Sequence, residues 1–166
     1  MSSNKISEWF YRYNKDIYHF LIYYTGSSDI EDLVQEVFYR AIKSIDTFKE
    51  QSSPKTWLFS IARNVGIDEI RKKKRIKLRH ALLEKEFEDK KEKSPESILH
   101  LNEQNKILYQ TIHTLKRNYR DVIILRGIKE FSVSETAQVL NWSENKVRIT
   151  YHRALLALQK KKEELH

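Results

Sequence analysis

Ile30, Leu33, Val34, Val37, Phe38, Ala41, Ile42 and Ile45 recur at intervals of three and four without a break. Only an amphipathic helix places that spacing on one face. The same rhythm organises the flanking segments. Ile6, Trp9, Phe10, Tyr13, Ile17, Phe20, Leu21 and Tyr24 mark an aromatic-rich helix ending near Gly26. Ser53 is an N-cap residue followed by Pro54 at the first helical position, and Trp57, Leu58, Ile61, Ala62 and Val65 form the core stripe of the helix they open. Phe59, Arg63, Asn64, Ile67 and Asp68 fall on or beside its other face. Three glycines and two prolines in 166 residues leave too few turn formers for a many-stranded sheet. The expected fold class is therefore all-α.

A second group of helices follows. Ile107, Leu108, Ile112 and Leu115, with Leu101 before them, predict one helix, and Tyr119, Val122, Ile123, Leu125 and Ile128 predict another. Ser132 and Glu135 form an S-x-x-E capping box ahead of Val133, Ala137, Val139 and Leu140. Asn141-Trp142 breaks that short helix, and Ser143 caps a longer one carrying Val147, Tyr151, Ala154, Leu155 and Leu158 on one face. Two helices joined by a tight turn make a helix-turn-helix. The outer face of the second offers Asn145, Lys146, Arg148, Ile149, His152 and Arg153, residues suited to phosphates and base edges in a major groove.

The net charge of +8 points to a polyanionic partner, and its placement narrows the choice. Residues 1–76 hold thirteen basic and ten acidic side chains, and residues 101–166 hold twelve and seven. Residues 77–100 balance six against six. This pattern predicts two small helical domains, 1–76 and 101–166, joined by a flexible linker over 77–100 that is helical in part through Ala81, Leu82, Leu83 and Phe87. The second is a four-helix domain with the helix-turn-helix. Seven Lys or Arg and no acid fill residues 71–79, a density suited to a nucleic-acid backbone. A basic surface split between two domains fits nucleic acid better than a membrane.

Other chemistry finds little footing. With no cysteine, disulfides, thiolate metal sites and cysteine nucleophiles are excluded. The six histidines are scattered, and neither H-E-x-x-H, a P-loop nor G-x-G-x-x-G is present. Asp29, Glu31, Asp32 and Glu36 spread around their helix with no histidine at ligand spacing, so no metal, cofactor or small-molecule substrate is expected. No apolar run approaches the ~18 residues that span a bilayer, and no signal peptide is visible, which predicts a cytoplasmic protein.

Three segments taken in order, DIEDLVQEVFYRAI, TWLFSIARNVGIDEIRKKKR and YRDVIILRGIKEFSVSETAQVLNWSENKVRITYHRAL, resemble the extracytoplasmic-function sigma factors of bacterial RNA polymerase. The last is similar to the SigX-type envelope-stress branch. The resemblance implies a non-enzymatic specificity subunit that binds core RNA polymerase and recognises promoter DNA, duplex and single-stranded. A membrane-anchored anti-sigma factor is implied as its inhibitor, and region 3 and the amino-terminal inhibitory region are absent from the match. The main alternative is a stand-alone helix-turn-helix regulator.

Residue roles follow from the same match. Periodicity alone makes Asp32, Gln35, Glu36 and Tyr39 a solvated helix face, but the resemblance makes them the contact with core polymerase. Thr47 to Ser53, with Lys55, Trp57, Phe59, Arg63 and Asn64, matches the part that melts the minus-10 element and holds the unpaired strand. Arg71, Lys72, Lys73, Lys74 and Arg75 are expected on the adjoining duplex. Ser143, Asn145, Lys146, Arg148, Ile149, His152 and Arg153 match the minus-35 reader. Lys146, Ile149, Thr150 and Leu155 depart from the family pattern, so promoter preference does not transfer.

Overall fold

A computed structural model of the chain describes residues 2–49, 52–83 and 103–164. Seven α-helices account for nearly all of them, with no strand among the described residues. The first three pack on one another: α1 (Ser2–Thr25), α2 (Ile30–Ser44) and α3 (Pro54–Leu82). Each boundary has a local cause. Gly26 ends α1 in the left-handed region at φ 63°, where a side chain is strained. Ser53 Oγ accepts the Thr56 N–H at 3.2 Å and caps α3, with Pro54 in the first turn. A 3-10 turn, Ile45–Thr47, leads out of α2.

The second unit comprises α4 (Glu103–Thr114), α5 (Arg117–Val122), α6 (Val133–Leu140) and α7 (Glu144–Glu164). A π-helical turn, Ile123–Ile128, prolongs α5, and the Phe131 N–H closes it on Leu125 O at 2.9 Å. The capping box forms in both directions: Glu135 N–H donates to Ser132 Oγ at 3.0 Å, and Ser132 N–H donates to Glu135 Oε1 at 2.9 Å. Asn141 sits at φ 57° between α6 and α7, the left-handed residue that the helix-turn-helix requires.

The two units pack on one another. One continuous core runs through both, and α3 packs against α6 as well as against α1 and α2. Several positions differ from expectation. Phe59, placed beside the outer face of α3, is fully buried. Ile67 is also buried. Phe10, Ile42 and Leu155, expected in apolar stripes, are exposed to 38%, 56% and 42%. Helix α3 extends to Leu82, so the stretch from residue 77 is helical through Ala81 and Leu82, as expected. Phe87 and Leu101 lie outside the described residues.

Candidate nucleic-acid interface

The seven residues expected to read duplex DNA share one open face at the start of α7, and every one is exposed. Ser143 Oγ accepts the Lys146 N–H at 3.1 Å, so this serine both caps the helix and borders its reading face. Lys146 Nζ lies 4.2 Å from the ring centroid of Trp142, which props the ammonium toward solvent. Arg148 meets Glu144 at 3.4 Å, but both are exposed, and such a pair is worth little and yields readily. Ser143, Asn145, Lys146, Ile149 and Arg153 line a groove of about 410 Å³ together with Lys116, Asn118, Tyr119 and Thr150. Lys116, Asn118 and Tyr119 come from the start of α5 and its approach. Sequence reading missed them because only folding brings α5 beside α7.

The residues expected at the minus-10 element divide into three settings. Trp57 joins Trp9 and Phe48 in an aromatic cluster, with ring centroids 5.9 Å from Trp9 and 5.1 Å from Phe48. Beside it lies a recess of about 390 Å³ lined by Lys5, Glu8, Trp9, Phe48, Ser52 and Pro54, at the loop between α2 and α3. Asn64, Arg71, Lys72, Lys74 and Arg75 are exposed, and Lys73 is half-buried with Nζ 3.5 Å from Gly26 O.

Lys55, Phe59 and Arg63 form the third setting, where the second unit covers α3. Arg63 donates from Nε and Nη2 to the two carboxylate oxygens of Asp121 at 3.1 and 3.2 Å. The Asp121 side chain is fully buried. Burial pushes its carboxyl above the usual range, and the Arg63 fork opposes that shift. Phe59 packs edge-on to Phe131 at 4.8 Å and to Phe20 at 5.5 Å. Lys55 Nζ lies 4.4 Å over the Phe131 ring. The seam continues through Arg120, which donates to Tyr24 O at 2.9 Å, and Lys129, which meets Asp16 at 3.3 Å.

On α2, Asp32, Gln35 and Tyr39 are exposed, whereas Glu36 is half-buried and pairs with Arg40 at 3.0 Å. Arg40 also reaches Asp68 of α3 at 3.0 Å, tying the two helices together. Lys43 Nζ sits 4.5 Å from the Tyr39 ring. Ile42 adds an exposed apolar spot one turn beyond Phe38 and two beyond Gln35.

Residues 9–76 match the model of Sigma-70 region 2, and residues 105–158 match that of Sigma-70 region 4. An all-helical fold with these two regions in order defines a sigma factor of bacterial RNA polymerase. Within that class, the chain is 39% identical to the ECF RNA polymerase sigma factor SigX of Bacillus subtilis, across 89% of this chain and 78% of the relative. It is 33% identical to SigM of the same organism, across 90% of each. The chain belongs to the extracytoplasmic-function sigma factor family. Two solved structures share its fold. The sigma factor RpoE, in complex with the anti-sigma factor NepR from Bartonella quintana, superposes with a TM-score of 0.75, covering 96% of this chain and 97% of that one at 23% identity. CnrH, in complex with the cytosolic domain of CnrY, gives 0.74, covering 98% and 90% at 21% identity.

Proposed function

We propose that this sigma factor reads a promoter with two hands. Region 2, over residues 1–76, docks on core polymerase through Asp32, Gln35, Glu36 and Tyr39 of α2, with Ile42 in the same contact. The recess beside Trp9, Phe48 and Trp57 accepts an unstacked base of the minus-10 element. Stacking on aromatic side chains is worth about 1–3 kcal/mol per base and tolerates sequence changes. Lys55, Arg63, Asn64 and Arg71–Arg75 follow the strand and the adjoining duplex. Region 4, over residues 101–166, reads the minus-35 element through the α7 face. Bond formation belongs to the polymerase.

The observation that carries this reading is the α7 face, where seven side chains of the expected types lie together and open to solvent. No helix among the described residues is long and apolar enough to cross a membrane. RpoE was solved with the anti-sigma factor NepR, and CnrH with the cytosolic domain of CnrY. By likeness to them, a membrane-anchored anti-sigma factor holds this chain inactive until an envelope stress releases it.

Run-off transcription from a library of genomic promoter fragments tests the proposal. Initiation is expected only when purified core polymerase and this chain are combined. Tight, fragment-specific duplex binding by the chain alone, unaffected by core, would instead identify a stand-alone regulator. Replacing Lys146 and Arg148 with Ala is expected to erase minus-35 preference while core binding persists.

A further inference from the structure

The geometry points to a cover built by mimicry: Asp121 and Phe131 of the second unit occupy on α3 the places of a DNA phosphate and an unstacked base, so strand capture by Lys55 and Arg63 requires the two units to part. This rests on the reading of Lys55 and Arg63 as minus-10 contacts.

The likeness is chemical. A phosphodiester and a carboxylate both present two anionic oxygens to a guanidinium fork, and Arg63 spends both of its forked donors on Asp121. The Phe131 ring is 1% exposed, edge-on to Phe59 on one side and under the Lys55 ammonium at 4.4 Å on another. An aromatic floor with a cation above it is the setting that single-stranded nucleic acid offers its own rings to. One anion and one ring, 58 residues or more beyond Arg63 in the chain, thus fill both halves of the capture site at once.

The seam also has the character of a surface that opens. A permanent core pairs nearly all its buried polar atoms, yet Arg120 Nε is buried at this junction without a hydrogen-bond partner, and Tyr24 Oη shares the one Asp121 carboxylate with Arg63. Ion pairs stitch it at Arg63–Asp121 and Lys129–Asp16. Buried ion pairs contribute little net stability because desolvation opposes the attraction. A competing polyanion that satisfies Arg63, Lys55 and Lys129 in water therefore meets little net opposition from these pairs.

The natural absence of cysteine allows a direct test. Exposed Lys15 of α1 and Gln138 of α6 are replaced with Cys and labelled for energy transfer between the units, in the full-length chain. A fluorescent single-stranded 12-mer pool is titrated in, with fold monitored by circular dichroism. Binding is expected to lower transfer in step with occupancy. Asp121→Asn, and separately Lys129→Glu, which sets a carboxylate against Asp16, are expected to lower transfer before DNA is added and to tighten oligonucleotide binding about tenfold, or ~1.4 kcal/mol. Oligonucleotide bound with transfer unchanged would overturn the proposal, as would either variant opening the units without tighter binding. If adding Lys55→Ala and Arg63→Ala to an opened variant leaves affinity unaltered, the minus-10 reading itself fails, and the mimicry with it.

Discussion

Helices α1 and α3 cross at Gly66, and replacing it with alanine measures how closely. A Cβ at Gly66 would lie 2.6 Å from Tyr24 Cδ1, 3.1 Å from Tyr24 Cε1 and 3.4 Å from Thr25 Cγ2. Carbon atoms in contact ordinarily stand about 3.5–4.0 Å apart, so the ring or the helix must retreat by about 1 Å. Tyr24 has little room to do so: it is fully buried and stacked on Phe20 with centroids 5.2 Å apart and planes 13° from parallel. Overpacking of this kind costs about 1–3 kcal/mol, and this overlap belongs at the upper end. Alanine returns about 1 kcal/mol through its better helix propensity. The expected net loss is about 2 kcal/mol.

Gly127→Ala is the internal control. Its Cβ would meet only Tyr151 Oη at 3.6 Å, and its φ is not positive. The substitution should stabilise by about 0.4–1 kcal/mol through the unfolded chain. Urea unfolding followed by circular dichroism reads both, and the shared core predicts one transition rather than two. Shifts of the same sign, or a Gly66→Ala shift within about 0.5 kcal/mol of zero, would refute the tight crossing.

His113 makes stability depend on pH. Burial, and then the Arg120 charge, lower its imidazole from the usual 6.5 to about 4. The folded chain holds it neutral while the unfolded chain takes up a proton, so stability is complete above pH ~6.5 and falls by about 3 kcal/mol as pH drops toward 4. His113→Gln should flatten that portion of a urea-midpoint profile. Ser132→Ala removes the acceptor for the Glu135 N–H and should cost about 1 kcal/mol in the same unfolding assay. Lys116→Ala should weaken duplex binding equally for all sequences and reduce the log–log salt slope by about 0.9, whereas loss of promoter preference would place Lys116 among the base readers.

Much of this was legible because its causes are local. A capping serine, a left-handed asparagine and a three-four stripe act within a few residues, so α2, α6 and the start of α7 stand where the sequence places them. The exposed face of α7 is legible for the same reason: it is the remainder when a helix buries its apolar side. Phe59 was misread because its burial has two sources. One is Phe20 in its own unit, and the other is Phe131, which no periodicity within α3 can announce. Asp121 carried no signal at all, since a single acid in a helix reads as solvated until a distant guanidinium meets it. Phe10, Ile42 and Leu155 erred the other way. They follow the apolar rhythm, but no neighbouring helix covers their part of the turn.

The seam joining Arg63 to Asp121 also has an order in time. The chain is made from its amino end, and 58 residues separate the two partners. At about 5–20 residues per second, Arg63 leaves the ribosome some 3–12 s before Asp121 does. Each new molecule therefore begins life uncovered, with Arg63 unclaimed and Phe59 facing water on one side. The interval closes only when translation delivers Asp121 and Phe131, so slow decoding between these positions would lengthen the uncovered period.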